Sequence, residues 1–186
     1  MIRYRFVFAK KTPLKLGEGR TSDYLKSLFL DIFPVVKERK TRFSFGPSLP
    51  LNFESEAEYV DVYMSYRMDE SYVKDMIEKN ISSDYALLRF RTIPLYFPSV
   101  ESILDAVEYE FYLEKDFGTE FFLDSNKSLK SLDVFDFKIN GLSFSVILKK
   151  GIKISDFITL FDCYTFLRRI RKNLYWIDSN GNLRVI

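Results

Sequence analysis

The chain of 186 residues has no histidine and one cysteine. No apolar stretch approaches the ~20 residues that a bilayer-spanning helix needs. The missing histidine excludes imidazole acid/base catalysis, Ser-His-Asp triads and His-ligated zinc or iron. A lone Cys163 excludes an internal disulfide, a CxxC pair and an iron–sulfur cluster held by this chain. The opening Met1-Ile2-Arg3-Tyr4-Arg5 lacks the apolar core and small-residue cleavage site of an export signal, and with the free thiol it implies the cytoplasm. Apolar and aromatic side chains are plentiful: 47% hydrophobic, with 19 Phe and 12 Tyr. Such a composition describes a packed globular protein rather than a disordered one.

The net charge of +2 conceals a polarity along the chain. Residues 1–50 carry 11 Lys+Arg against 4 Asp+Glu, residues 51–140 carry 9 against 19, and residues 141–186 carry 8 against 3. Basic flanks around an acidic middle imply an anionic partner, two halves that attract each other, or separate solvated faces.

Hydrophobic period orders the elements. Ile2 to Phe8 alternates as a strand, and Thr21-Ser22-Asp23 supplies candidate N-caps for a helix to about Phe33, closed by Pro34. Arg42 to Phe45 is a short strand, Glu58 to Met64 another, Ser71 to Asn80 an amphipathic helix, and Tyr85 to Ile93 a fourth strand. The second half repeats the theme. It has a strand at Val107 to Leu113, a short helix at Phe117 to Leu123, and a hairpin across Asn140-Gly141. A helix capped by Ser155 and running to about Phe166 follows, then a strand over Ile170 to Ile177 and a short tail from Leu183. The order predicts an α+β fold of two tandem ferredoxin-like βαββαβ units with antiparallel sheets, the second degenerate. The expected units are residues 1–96 and 97–186, packed tightly together, with Pro94 to Ser99 as a stiff linker.

In that topology the first strand lies between the third and fourth. Strand parity turns Tyr4, Phe6 and Phe8 toward the helices and leaves Arg3 and Arg5 on the open face. The same parity sends Arg42, Arg89 and Arg91 outward and Leu88 and Phe90 inward, with Tyr59, Asp61 and Tyr63 exposed between them. Five guanidinium groups around Tyr59 and Tyr63 repel one another unless an anion answers them. Phosphates with bases stacked on the tyrosines would do so. So would internal pairing, with Glu108 and Glu110 of the second half docking on the arginines.

Other groups carry less. Lys15-Leu16-Gly17-Glu18-Gly19-Arg20-Thr21 is either an anion-binding helix entry or a plain strand-to-helix turn. Glu54, Glu56, Glu58 and Asp61 could hold a hard cation, but alternating acids more often form a solvated face or pair with arginines. Cys163 reads as a buried core thiol. Arg168-Arg169-Ile170-Arg171-Lys172 suits either a phosphate backbone or the C-terminus of a helix.

The stretch from Phe43-Ser44-Phe45-Gly46-Pro47-Ser48-Leu49-Pro50 through Glu54 and Glu56 to Val62 resembles the signature of the radical SAM-linked protein family. So do Arg3-Tyr4-Arg5-Phe6, Glu108-Tyr109 and Ile170-Arg171-Lys172-Asn173-Leu174-Tyr175. That bacterial domain occurs alone or fused behind a radical SAM, B12-binding-type protein. The resemblance makes Ser44, Gly46, Pro47, Pro50, Glu54 and Glu56 its signature-loop positions here. This copy departs from the family at two stretches that usually hold histidine, represented by Arg20-Thr21-Ser22-Asp23 and Lys37-Glu38-Arg39-Lys40-Thr41. Lacking a cysteine triplet, the chain is not itself a radical SAM enzyme.

These readings converge on a non-catalytic adaptor, without cofactor or metal, that presents RNA or another anionic substrate to a separate radical SAM protein. Two alternatives stand. One is a metal-independent endoribonuclease of tandem ferredoxin fold, working through Tyr, Lys or Ser. The other is a purely structural interaction module whose halves satisfy each other.

Overall fold

The computed structural model describes residues 1–33, 42–115, 132, 134–161 and 164–186. Among these residues lie nine strands and four helices, a mixed α/β arrangement. The chain divides into two units, Met1–Ile103 and Leu104–Ile186.

In the first unit the order is β1 (Ile2–Lys10), α1 (Thr21–Ile32), β2 (Phe43–Phe45), β3 (Glu54–Met64), α2 (Glu70–Asn80), β4 (Tyr85–Ile93) and α3 (Val100–Ile103). The strands pair antiparallel, β1 between β4 and β3, with β2 on the far side of β3. Alternation on β1 dictates the core. Tyr4, Phe6 and Phe8 point to one face and pack with Leu25, Leu28 and Phe29 of α1 and Val73 and Ile77 of α2. The Phe6 and Phe29 rings lie 4.7 Å apart and Phe90 stacks on Phe6 at 5.4 Å. Arg3, Arg5 and Val7 therefore face the opposite side.

Local chemistry sets the helix ends. Asp69 caps α2 by accepting from the backbone N–H groups of Ser71 (2.9 Å) and Tyr72 (3.1 Å). The first helix begins at Thr21 behind Arg20, and no side chain caps it, so the Thr-Ser-Asp capping expectation is corrected. Leu88 is also corrected. The pairing of β4 with β1 slips between Val7 and Phe8, where Arg89 and Leu87 are their respective partners. Leu88 is the extra residue of this bulge and stands 52% exposed, while Leu87 takes the place against the core.

The second unit contains β5 (Ala106–Leu113), β6 (Asp136–Asn140), β7 (Ser143–Lys149), α4 (Ile154–Thr159), β8 (Phe166–Ile177) and β9 (Leu183–Val185). Its antiparallel order is β8-β5-β7-β6, with β9 on β8. Phe111, Phe144, Phe157 and Phe161 form an aromatic core, Phe111 and Phe144 stacking at 4.7 Å. The hairpin turns over Gly141-Leu142, not Asn140-Gly141, since Asn140 still pairs with Ser143 and only Gly141 has a positive φ, +58°. The run Arg168 to Lys172 lies within β8 rather than at a helix end. Helix α4 stops at Thr159, and Ser155 does not cap it. The expected helix over Phe117 to Leu123, Lys37 to Thr41 and Cys163 lie outside the described residues. No described helix is long and apolar enough to cross a membrane.

Replacing Phe29, which is fully buried among Phe6, Phe8 and Phe33, with alanine removes the centre of the first core. F29A is expected to cost about 3–5 kcal/mol in denaturant titration.

Candidate functional site

Strand register arranges the face opposite the helices in three rows. Tyr63, Arg3 and Ile93 lie side by side across β3, β1 and β4; Asp61, Arg5 and Arg91 form the next row; Tyr59, Val7 and Arg89 the third. On the far side of β3, Ser44 pairs with Asp61, and the carbonyl of Arg42 accepts from the Tyr63 N–H at 3.0 Å. The expected gathering of arginines around Tyr59 and Tyr63 is thus present in the register, but its exposure is corrected. Arg3 and Arg5 are 2% and 1% exposed, and Asp61 and Tyr59 are buried as well.

What covers them is the chain after β4. Arg5 grips Asp61 with two hydrogen bonds, Nε to Oδ1 at 2.7 Å and Nη2 to Oδ2 at 2.9 Å. Arg3 Nε stands 4.0 Å from the same carboxylate, and its Nη1 donates to the Tyr63 hydroxyl at 3.1 Å. Arg3 Nη2 donates to two backbone carbonyls, Pro94 (2.9 Å) and Phe97 (2.6 Å), and Arg5 Nη2 also reaches the Pro98 carbonyl at 3.2 Å. Asp61 in turn accepts from the Val100 N–H at 3.0 Å, and α3 lies against β2 and β3. The anion that answers Arg3 and Arg5 is therefore Asp61 of their own unit, not Glu108 or Glu110. Glu108 accepts from Asn173 and Tyr175, both at 2.7 Å, and Glu110 pairs with Lys172 at 3.6 Å. Asp61 is also not a solvated acid, and no group of three acidic or cysteine side chains able to hold a metal occurs among the described residues.

Of the five arginines expected on this face, three are exposed: Arg42, Arg89 and Arg91. Arg89 reaches across the Val7 row to the Tyr59 hydroxyl at 2.7 Å, with its guanidinium 5.9 Å from the ring centre. Arg91 has no partner among the described residues.

The signature segment runs through β2, a loop and β3. Ser44 is buried, its hydroxyl 3.4 Å from the Glu101 N–H that it accepts, and the Gly46 N–H donates to the Tyr59 carbonyl at 3.0 Å. The loop is tied to the chain before α1 by reciprocal bonds, Leu14 N–H to Phe53 carbonyl and Asn52 N–H to Leu14 carbonyl. Pro47, Pro50 and Glu54 are half-buried and Glu56 is exposed. A small cleft opens here, lined by Arg20, Ser22, Gly46, Ser48, Glu58 and Tyr59 among others.

Glu18 closes the turn before α1. Its carboxylate accepts from the Lys15 N–H at 2.9 Å and from the buried Lys10 ammonium at 3.0 Å. The turn thus supplies its own anion, which favours the plain strand-to-helix reading. Nearby, burial pushes the Tyr85 hydroxyl up to about 12.

Residues 39–140 match a family described as an uncharacterized protein conserved in bacteria (DUF2344). The chain belongs to this family. The DUF2344 match takes in β2 to β6, and so includes the signature loop, Asp61 and the exposed arginines. Comparison with curated proteins finds no match. Among solved structures, the DUF2344 chain is similar to a chain of an H/ACA ribonucleoprotein bound to a substrate RNA containing 2'-deoxyuridine. Identity is 14%, the TM-score is 0.42, and 89% of this chain aligns with 46% of that one. The chain thus spans under half the length of that neighbour.

Two outcomes test the geometry. Asp61→Asn leaves two buried guanidinium groups without a counter-ion and is expected to cost about 3–5 kcal/mol in a denaturant melt. Glu18 is held below the ordinary glutamate range, first by the Lys15 N–H and then by Lys10. A depressed carboxylate stabilises the fold fully above its ordinary pKa, and the contribution is lost as pH falls through the depressed value. The Lys15 amide shift in an NMR titration should therefore move with a midpoint below that of an unperturbed glutamate.

Proposed function

We propose that this protein is a non-catalytic adaptor that holds RNA, or another polyanionic substrate, for a separate radical SAM-type modification enzyme. One observation carries the reading. Once Asp61 and the carbonyls of the strap, residues 94–100, have taken Arg3 and Arg5, Arg89 and Arg91 remain exposed two residues apart on β4, with a tyrosine beside the first. Such a pair suits successive phosphates of a single strand. The enzyme partner is supported by the resemblance of the Phe43 to Val62 segment to the radical SAM-linked family. The strand order within each unit supports the tandem ferredoxin-like description, and the exposed Arg89 and Arg91 lie on β4 at the edge of the first unit's sheet.

The pairing of Arg3 and Arg5 with Asp61 of their own unit favours the second reading, a structural interaction module. Salt separates the two. Binding of single-stranded RNA should weaken linearly with log salt, and Arg89→Ala with Arg91→Ala should flatten that slope by about 1.4. Undetectable binding, or an unchanged slope in the double variant, would leave only the interaction module.

A further inference from the structure

Residues 94–100 are fastened with unusual thoroughness for a surface segment. The Phe97 N–H donates to the Pro94 carbonyl at 3.1 Å, closing a four-residue turn with Leu95 and Tyr96 at its centre. A single buried nitrogen, Arg3 Nη2, bonds both end carbonyls of that turn, Pro94 and Phe97. Arg5 holds the next carbonyl along, Pro98, and Asp61 holds the Val100 N–H. Pro94 and Pro98 fix their own φ and have no N–H to satisfy.

From this clamped turn Tyr96 projects 89% exposed, higher than any other aromatic among the described residues, with Leu95 at 50%. Holding a loop by buried guanidinium groups costs desolvation, and here the result is a backbone held in place beneath an aromatic ring that is bare to solvent. Tyr96 follows Arg91 by five residues and so lies no farther than about 18 Å from it along the chain. The exposed arginines of β4 lead directly into the turn that bears the ring.

We infer that Tyr96 is a stacking platform for a base of single-stranded RNA whose backbone runs over Arg89 and Arg91. The inference rests on the adaptor reading above and adds the position at which a base, rather than a phosphate, is held. Charge selects the strand, and a turn whose backbone is fixed before binding loses little conformational freedom when a base lands on its ring. Duplex RNA keeps its bases stacked on one another, so the platform selects single strands.

The test uses the full chain with two probes, a single-stranded oligoadenylate and an abasic strand of equal length and charge. Tyr96→Ala should weaken oligoadenylate binding about fivefold or more, leave the salt slope unchanged, and bind the abasic strand like the parent. Tyr96→Phe should retain parental affinity for both. The side chain is exposed, so melting temperatures should match and report that the variants fold. If the parent binds oligoadenylate and Y96A binds it equally well, or if Y96A loses the abasic strand to the same extent, the platform is overturned and the adaptor stands. If the parent binds neither probe, both fail.

Discussion

Asp61 holds the first unit's exposed-looking face together. A buried guanidinium without a counter-charge is costly, by several kcal/mol even after relaxation. Here one carboxylate lies beside two arginines, bidentate to Arg5 and 4.0 Å from Arg3. The Nη2 donors of both arginines reach backbone carbonyls of the chain leaving β4, while Arg3 Nε and Arg5 Nη1 are buried without a hydrogen bond among the described residues. The strap is therefore not a cover that happens to pass over a finished site. It adds backbone oxygens to charges that β1 and β3 have already brought together, and so ties the sheet, residues 94–100 and α3 to one cluster.

The parity of β1 and β3 was legible because aromatic and β-branched residues alternate cleanly with charged ones, and a two-residue period leaves no choice of face. Neighbouring strands were legible for the same reason, since the element order admits few ways to cover the aromatic face with both helices. Burial of the charged face was not legible. Asp61 looks like one more member of the acidic series at Glu54, Glu56 and Glu58, and only the antiparallel register sets it beside Arg5. Leu88 was misplaced because a bulge leaves no mark in hydrophobicity, and one extra residue reverses the parity of everything before it on β4. The run at Arg168 to Lys172 was read beside a helix, although Ile170, Tyr175, Trp176 and Ile177 are the branched and aromatic residues that strands favour.

The structure divides what composition had lumped together. Within the basic excess of residues 1–50, Arg3, Arg5 and Lys10 are buried and each has an acidic side chain within 4.0 Å. Such cations are screened by their own counter-ions and cannot steer a ligand. The field felt outside comes from residues such as Arg42, Arg89 and Arg91. Arg42 adjoins β2 and the other two lie on β4, with β3 and β1 between them. A broad positive sheet is thereby replaced by two separate points of charge.

That division gives the buried pair a role that exposed arginines could not fill. A guanidinium in water makes and breaks hydrogen bonds with many partners, whereas one excluded from water must keep the oxygens it has. By anchoring to Asp61 and reaching outward to Pro94, Phe97 and Pro98, Arg3 and Arg5 convert the rigidity of the sheet into rigidity of a surface turn. The linker expected merely to join two halves instead becomes an extension of the first unit's polar interior. Its shape is set by charges that never meet solvent, and its outer side is left free to meet something else.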